Sequence, residues 1–375
     1  MKNQIEKLSM YEILEKRMIA DLNSEGYILK HKKTGANITL LLNDDENKVF
    51  YIGFRTPPKD STGVAHILEH SVLCGSKNYP VKDPFIELAK GSLNTFLNAM
   101  TYPDKTVYPV ASCNDKDFKN LVNVYLDAVF YPNIYKEDKI FKQEGWHYEM
   151  EDVNDALSIN GVVYNEMKGA FSSPDDVVER EIMNSLYPDI TYGLESGGDP
   201  DVIPQLTYED FLSFHGKFYH PSNSYIYLYG NMDAAEYLTF LDEKYLSDFD
   251  MLAIDSEVKK QKAFDVCKEV TKEFSVMEEE SIEENTYLTY NMVMGSSLDK
   301  ELYVAMDILD YVLCSAPGAP IKQALLDAGI GKDVYSSVEA GILQPYFSII
   351  AKNAKEEQKE ETPIVCSCTE KCTVG

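Results

Sequence analysis

The sequence predicts an α+β fold in which helices cover a mostly antiparallel sheet. Three observations point there: strands paired early across short turns, helices that follow one another between strands, and a strand–turn–helix block that recurs late in the chain. A length of 375 residues suggests two or three domains, each able to bury its own core. The hydrophobic fraction of 44%, with 16 Phe and 26 Tyr, argues against general disorder.

Met1 to Leu22 is charged throughout, through Lys2, Glu6, Lys7, Glu12, Glu15, Lys16 and Arg17. That fits neither a secretory signal nor an acid-poor transit peptide, so cytoplasmic residence is the expectation. No apolar run approaches the roughly 20 residues of a spanning helix, and Ile38–Leu42 is strand-sized. Gly26–Gly35 and Ala36–Asn43 read as two strands joined by a Lys/Gly turn, and Lys48–Arg55 alternates as a third. Pro57-Pro58 ends that strand. Asp60, Ser61 and Thr62 then offer caps for a helix running to about Cys74, closed by Gly75. Pro84–Leu97 reads as a further helix, Thr106–Ala111 as a short strand, and Asp115–Phe130 as a helix with its apolar residues on one face. Gly161 opens a helix over Val162–Phe171. Tyr208–Phe218 is a helix, Ser224–Tyr229 a strand and Ala234–Tyr245 a helix.

Asp248 to Glu284 is rich in charge and poor in glycine, and the domain boundary is expected inside it. The predicted division is a first domain over 1–250, a linker over 251–284, a short second domain over 285–355 and an atypical tail over 356–375. In the second domain, Asn285–Gly295 reads as a strand and Lys300–Leu313 as a helix. Ile67-Leu-Glu-His-Ser-Val-Leu-Cys74 aligns with Ile308-Leu-Asp-Tyr and, after a one-residue gap, Val312-Leu-Cys314. Each copy follows an apolar strand and a polar turn, the pattern of an internal duplication. The apolar positions are shared, while His66 becomes Asp307, Glu69 becomes Asp310 and His70 becomes Tyr311. One copy keeps a site; the other keeps only the packing.

That site is His66-Ile-Leu-Glu69-His70. Residues four apart on a helix share a face, so both imidazoles reach one ion. Catalysis by such an ion needs a third ligand and an open position where the pKa of water falls towards about 7, with a carboxylate beside it to take the proton. Glu69 fits that last role, and the inverted H-x-x-E-H order is a catalytic zinc pattern. The remaining histidines, His31, His147, His215 and His220, are isolated and read as surface or hydrogen-bonded structural residues. Among 62 acidic residues the best third ligand is Glu166, in the largely uncharged Gly161–Gly169 stretch. Glu144, Glu149 and Glu151 are its rivals, from a more charged segment expected to be solvated.

Of the seven cysteines, Cys74, Cys113, Cys267 and Cys314 lie singly and read as buried free thiols. Cys366, Cys368 and Cys372 crowd the end without a fourth partner for a metal. A net charge of −27 speaks against nucleic acid and against an anionic membrane surface, and favours cationic partners.

The motifs together resemble the pitrilysin-type (M16) metallopeptidases, in the branch of the presequence proteases and falcilysin-like enzymes. They comprise His66–His70, Val72-Leu-Cys-Gly-Ser76, Tyr79-Pro80, Asp83-Pro84-Phe85 and Gly161–Gly169, and the similarity runs from about residue 20 to about 355. The resemblance implies one zinc ion held by His66, His70 and Glu166, with Glu69 as general base. It implies that Asn98, Ala99, Met100 and Thr101 form the edge along which peptide substrates add as a strand. Gly197-Gly-Asp-Pro200 matches as well, without a role beyond a turn. It further implies repeated α+β domains, the active one followed by a degenerate one, and a C-terminal half that closes a chamber around unfolded peptides. Here the second domain is expected to be incomplete and that half missing. The expected activity is zinc-dependent endopeptidase action on short or unfolded peptides, basic ones by the charge argument. The alternative is a non-catalytic peptide-binding or assembly subunit of the same fold.

Overall fold

The computed structural model describes residues 4–279 and 281–360. The chain divides into two compact units, Met1–Gly169 with Glu195–Glu257, and Ala170–Leu194 with Val258–Gly375. The second unit's longer segment thus begins at 258, inside the anticipated linker, and the unit also includes 170–194, which the sequence reading places in a continuous first domain. The Cys366, Cys368 and Cys372 cluster lies outside the described residues.

The first unit is built on one sheet. Its strands are β1 (Tyr11–Ile19), β2 (Ser24–His31), β3 (Asn37–Leu42), β4 (Lys48–Arg55), β5 (Asn94–Leu97), β6 (Met100–Thr101) and β7 (Lys105–Ser112). After the hairpin of β8 (His147–Glu149) and β9 (Ser158–Asn160), β10 (Ser224–Gly230) returns to the sheet. The order is β1-β2-β3-β10-β4-β7-β5, with β6 also on β7. Every pairing is antiparallel except β3 with β10. The helices are α1 (Val64–Val72), α2 (Pro84–Gly91), α3 (Asp115–Phe130), α4 (Asp138–Glu144) and α5 (Val162–Ala170). In the second unit α6 (Pro174–Leu186) comes first, and α7 (Tyr208–Phe218) and α8 (Ala234–Lys244) complete the first. β4 alternates as its sequence predicts, with Phe50, Ile52 and Phe54 buried. α3 lays Phe118, Leu121, Val122 and Tyr125 into the same core and packs on β7 and β4.

In the second unit β11 (Thr286–Val293), β12 (Asp333–Glu339) and β13 (Tyr346–Ala354) form an antiparallel sheet of order β11-β13-β12. The central strand β13 is apolar on both faces. Phe347 and Ile349 join a core with Ile321 and Leu325, while Tyr346 and Ile350 join one with Ile182 and Leu186 of α6. That second core explains why 170–194 groups with the later chain. The helices here are α9 (Lys300–Asp310), continued by a π-helical turn over Tyr311–Ser315, and α10 (Pro320–Asp327). The strand–turn–helix order β4–α1 therefore recurs as β11–α9.

Several expectations change. The helix predicted over Pro84–Leu97 stops at Gly91, and Asn94–Leu97 pairs with β7 instead. α1 is not capped by Asp60, Ser61 or Thr62. Asp60 Oδ1 accepts from Thr62, and the helix starts after Gly63, which has φ +68°. Cys113 and Cys267 are exposed, not buried. The stretch Lys300–Asp327 is long and apolar enough by composition to cross a membrane, which counting uninterrupted apolar runs does not reveal. In the structure it is broken at extended Ala316 into helical pieces well short of the roughly 20 residues a span needs.

Candidate metal centre

α1 starts directly after Gly63, where a loop packs closely against its N-terminus. A Cβ on Gly63 would lie 2.7 Å from the Gly197 carbonyl oxygen and 2.7 Å from Gly198 Cα, and its positive φ also calls for glycine. The same loop donates from Asp199 N–H to the Ser61 carbonyl at 2.8 Å. The Gly197-Gly-Asp-Pro200 stretch thereby gains a role that its sequence did not give it. The Gly197 carbonyl accepts from His66 Nδ1 at 3.0 Å.

His70 is held from the other side. Its Nδ1 lies 3.4 Å from a carboxylate oxygen of Glu144, the last residue of α4. With both Nδ1 atoms engaged as donors, each ring turns its Nε2 towards Glu166 of α5. His66 Nε2 is 3.8 Å from Glu166 Oε1, and His70 Nε2 is 3.8 Å from Glu166 Oε2. α5 reaches this place because Gly161 lets it start against the end of α4; a Cβ there would meet the Gly145 carbonyl oxygen at 2.1 Å.

His66, His70 and Glu166 are the group of metal-capable donors among the described residues, each offering an atom within 4.8 Å of the others. The set suits zinc, since it comprises two imidazole nitrogens with lone pairs facing inward and one carboxylate. The imidazole side chains are 12% and 25% exposed and Glu166 is 54% exposed, so the site is open to solvent on the Glu166 side. Glu69 is buried on the same helix, and its negative charge acts on His70 and on the buried hydroxyls of Tyr108, Tyr125 and Tyr219. Burial and, to a lesser degree, that charge push all three phenols well above their ordinary range. Burial works against a charge on His70, but Glu144, Glu69 and Glu166 outweigh it and hold the imidazole above its usual value. Burial likewise raises Glu144, yet its bonds to His70, Gln143 and Cys74 leave it below the usual carboxylate range.

The rivals for third ligand separate clearly. Glu149 accepts from Asn160 at 2.6 Å and Glu151 is exposed; neither belongs to the metal-capable group. Glu144 is buried rather than solvated, against the expectation from its charged segment, and it faces the outer nitrogen of His70. The other histidines are structural. His31 sits between Thr34 and Asp242, and His215 between Tyr135 and the Val129 carbonyl. His147 bonds the Lys142 carbonyl and His220 accepts from Ser222 N–H. Asn98 to Thr101 lie beside the site: Asn98 N–H donates to Pro109, Met100 and Thr101 form β6 on β7, and α1 packs against β6.

A helix presenting H-x-x-E-H, with a carboxylate from a second helix over both imidazoles, has the make-up of the inverted zinc-peptidase site. The chain belongs to the M16 peptidase family. Residues 49–185 match the family model "Insulinase (Peptidase family M16)", and residues 205–362 match "Peptidase M16 inactive domain". The chain is 54% identical over 353 residues to Protein HypA of Clostridium perfringens, covering 94% of this chain and 36% of that protein. It is 46% identical over 363 residues to Presequence protease 1, chloroplastic/mitochondrial, of Arabidopsis thaliana, with 96% and 33% covered. Among solved structures, pitrilysin matches with TM-score 0.63 at 14% identity, covering 93% of this chain and 36% of that one. A protease from Helicobacter pylori matches with TM-score 0.65 at 16% identity, covering 93% and 80%. These likenesses show the fold. The chain spans about a third of the length of the curated relatives it matches.

Proposed function

We propose that this chain carries the active site of a zinc metalloendopeptidase acting on short or unfolded peptides. The observation that carries the reading is the convergence of His66 Nε2, His70 Nε2 and the Glu166 carboxylate, with Glu69 on the same helix. When bound there, zinc supplies Lewis acidity to water and to a peptide carbonyl. Gly197 and Glu144 fix the two imidazoles so that each offers Nε2. Glu69, buried within a turn of both, takes the proton from the attacking water and delivers it to the leaving amine. The peptide lies along β6, which among the described residues pairs only with β7, and adds a strand through backbone hydrogen bonds. Such binding reads backbone more than sequence, in keeping with unfolded substrates.

Cytoplasmic residence, with neither nucleic acid nor membrane as partner, belongs to the same reading. So does a chamber closed by further sequence of the kind the longer relatives carry. Cleavage of an unstructured peptide by the zinc-loaded chain, compared with Glu69→Gln, tests the function. Glu69→Gln is expected to keep its zinc and lose turnover by about 10³-fold or more. Zinc-loaded native protein that cleaves nothing, while a full-length relative does so under the same conditions, would favour the non-catalytic peptide-binding alternative.

A further inference from the structure

The sheet edge beside the metal centre is interrupted by a proline. β7 pairs along one side with β4, where Pro109 lies opposite Tyr51. On its other side β5 pairs as far as Leu97 with Val110, and β6 resumes at Met100 with Val107. Between them Asn98 N–H donates to the Pro109 carbonyl at 3.2 Å. In an antiparallel ladder the opposite residue returns a bond to the carbonyl of that same residue, but proline has no N–H to give. The Asn98 carbonyl therefore lacks its ladder donor. The donor it has instead comes from α3: the Tyr125 hydroxyl donates to it at 3.2 Å. Tyr125 is fully buried, with its ring set edge-on to Tyr108 at 6.5 Å between centroids. Burial keeps the phenol protonated, so the hydroxyl stays a donor. A phenylalanine would fill the same core space. The hydroxyl serves the exposed edge.

What that bond does follows from the planarity of the peptide group. In a trans peptide the C=O of one residue and the N–H of the next share a plane and point opposite ways. The Asn98–Ala99 bond is trans, so holding the Asn98 carbonyl inward turns the Ala99 N–H away from β7, out of the sheet edge. There it donates to Asn98 Oδ1 at 3.0 Å, on an exposed side chain that an incoming carbonyl can replace. We propose that Tyr125 is a positioning residue for substrate: by holding the Asn98 carbonyl it aims the Ala99 N–H at the backbone of an added strand. The proposal rests on the reading above that peptides add along this edge. It assigns to a core residue of α3 a part in binding that neither its burial nor its packing requires.

The test is peptide binding by the full chain, zinc-loaded and carrying Glu69→Gln so that the probe is not cleaved. The probe is a fluorescein-labelled peptide rich in Lys and Thr and without fixed structure, followed by anisotropy. In that background Tyr125→Phe is expected to weaken binding by about 3- to 10-fold, the worth of one hydrogen bond, while zinc content stays at that of the parent. Adding Pro109→Ala returns an N–H opposite the Asn98 carbonyl and should recover the affinity, which a packing role for the phenol would not give. Parent affinity in Tyr125→Phe would overturn the assignment and leave peptide binding at the edge intact. So would a loss that comes with lower zinc content, or one that Pro109→Ala leaves in place. A zinc-loaded parent that does not bind the peptide would overturn both readings.

Discussion

His66 and His70 are four residues apart, and that spacing makes them legible as a pair before any fold is known. Glu69 follows from the same helix, and Glu166 stood out because its surroundings carry little charge. The groups that hold the imidazoles were not legible. Gly197 and Glu144 act across long stretches of chain, and nothing local marks a carbonyl or one acid among 62 as a hydrogen-bond partner. His215 is a different kind of histidine. Burial lowers its pKa to about 4, and as a neutral ring it donates from Nε2 to Val129 and accepts from Tyr135 at Nδ1. The unfolded chain would protonate it near 6.5, so the native state loses stability as pH falls from about 6.5 towards 4, and nothing from this residue above that range. The expected loss is on the order of 3 kcal/mol across that window, read from denaturant midpoints. In His215→Gln this part of the slope should vanish; an unchanged slope would remove His215 from the account.

Helices and strands with clear periodicity read well: α3, α7 and β4 have the bounds that the sequence predicts. β1 does not, because Tyr11–Ile19 is exposed along most of its length and offers no buried alternation. β13 is hidden for the opposite reason. It is buried on both faces, and a continuous apolar run carries no strand period. α6 shows no sign in its sequence of the unit it packs with, since that depends on Tyr346 and Ile350 far along the chain. Where elements meet at the centre, glycine decides the distance. Gly161→Ala would drive a Cβ into the Gly145 carbonyl and push α5 from α4. The expected cost is about 2–3 kcal/mol in denaturant unfolding, with weaker zinc binding because Glu166 moves with α5. A variant as stable as the native protein, with native zinc affinity, would show that the close approach is not needed.

The molecule as a whole carries a net charge of −27, and for a peptidase-like site that bears on substrate. Basic peptides should be drawn in by long-range attraction and acidic ones repelled, so the kcat/KM for basic peptides should fall as salt rises through 0.05–0.2 M, where the Debye length shrinks to about 10 Å and below. Equal salt dependence for basic and acidic peptides would leave the charge as a matter of solubility. The duplication also gains meaning from the fold. β4–α1 keeps His66, Glu69 and His70, while β11–α9 has Asp307, Asp310 and Tyr311 at the aligned places, within the region matching the family's inactive domain. The first copy thus keeps a metal-capable group, whereas in the second the shared apolar residues Ile308, Leu309 and Val312 are exposed and only Cys314 is buried, so the expected packing role is not met there. All of this turns on whether three side chains from α1 and α5 hold one ion. Zinc content after dialysis, in native protein and in His66→Ala and Glu166→Ala, measures that directly. The account predicts about one equivalent in the native chain and loss of it in both variants. Zinc absent from the native chain, or retained undiminished in both variants, would contradict it.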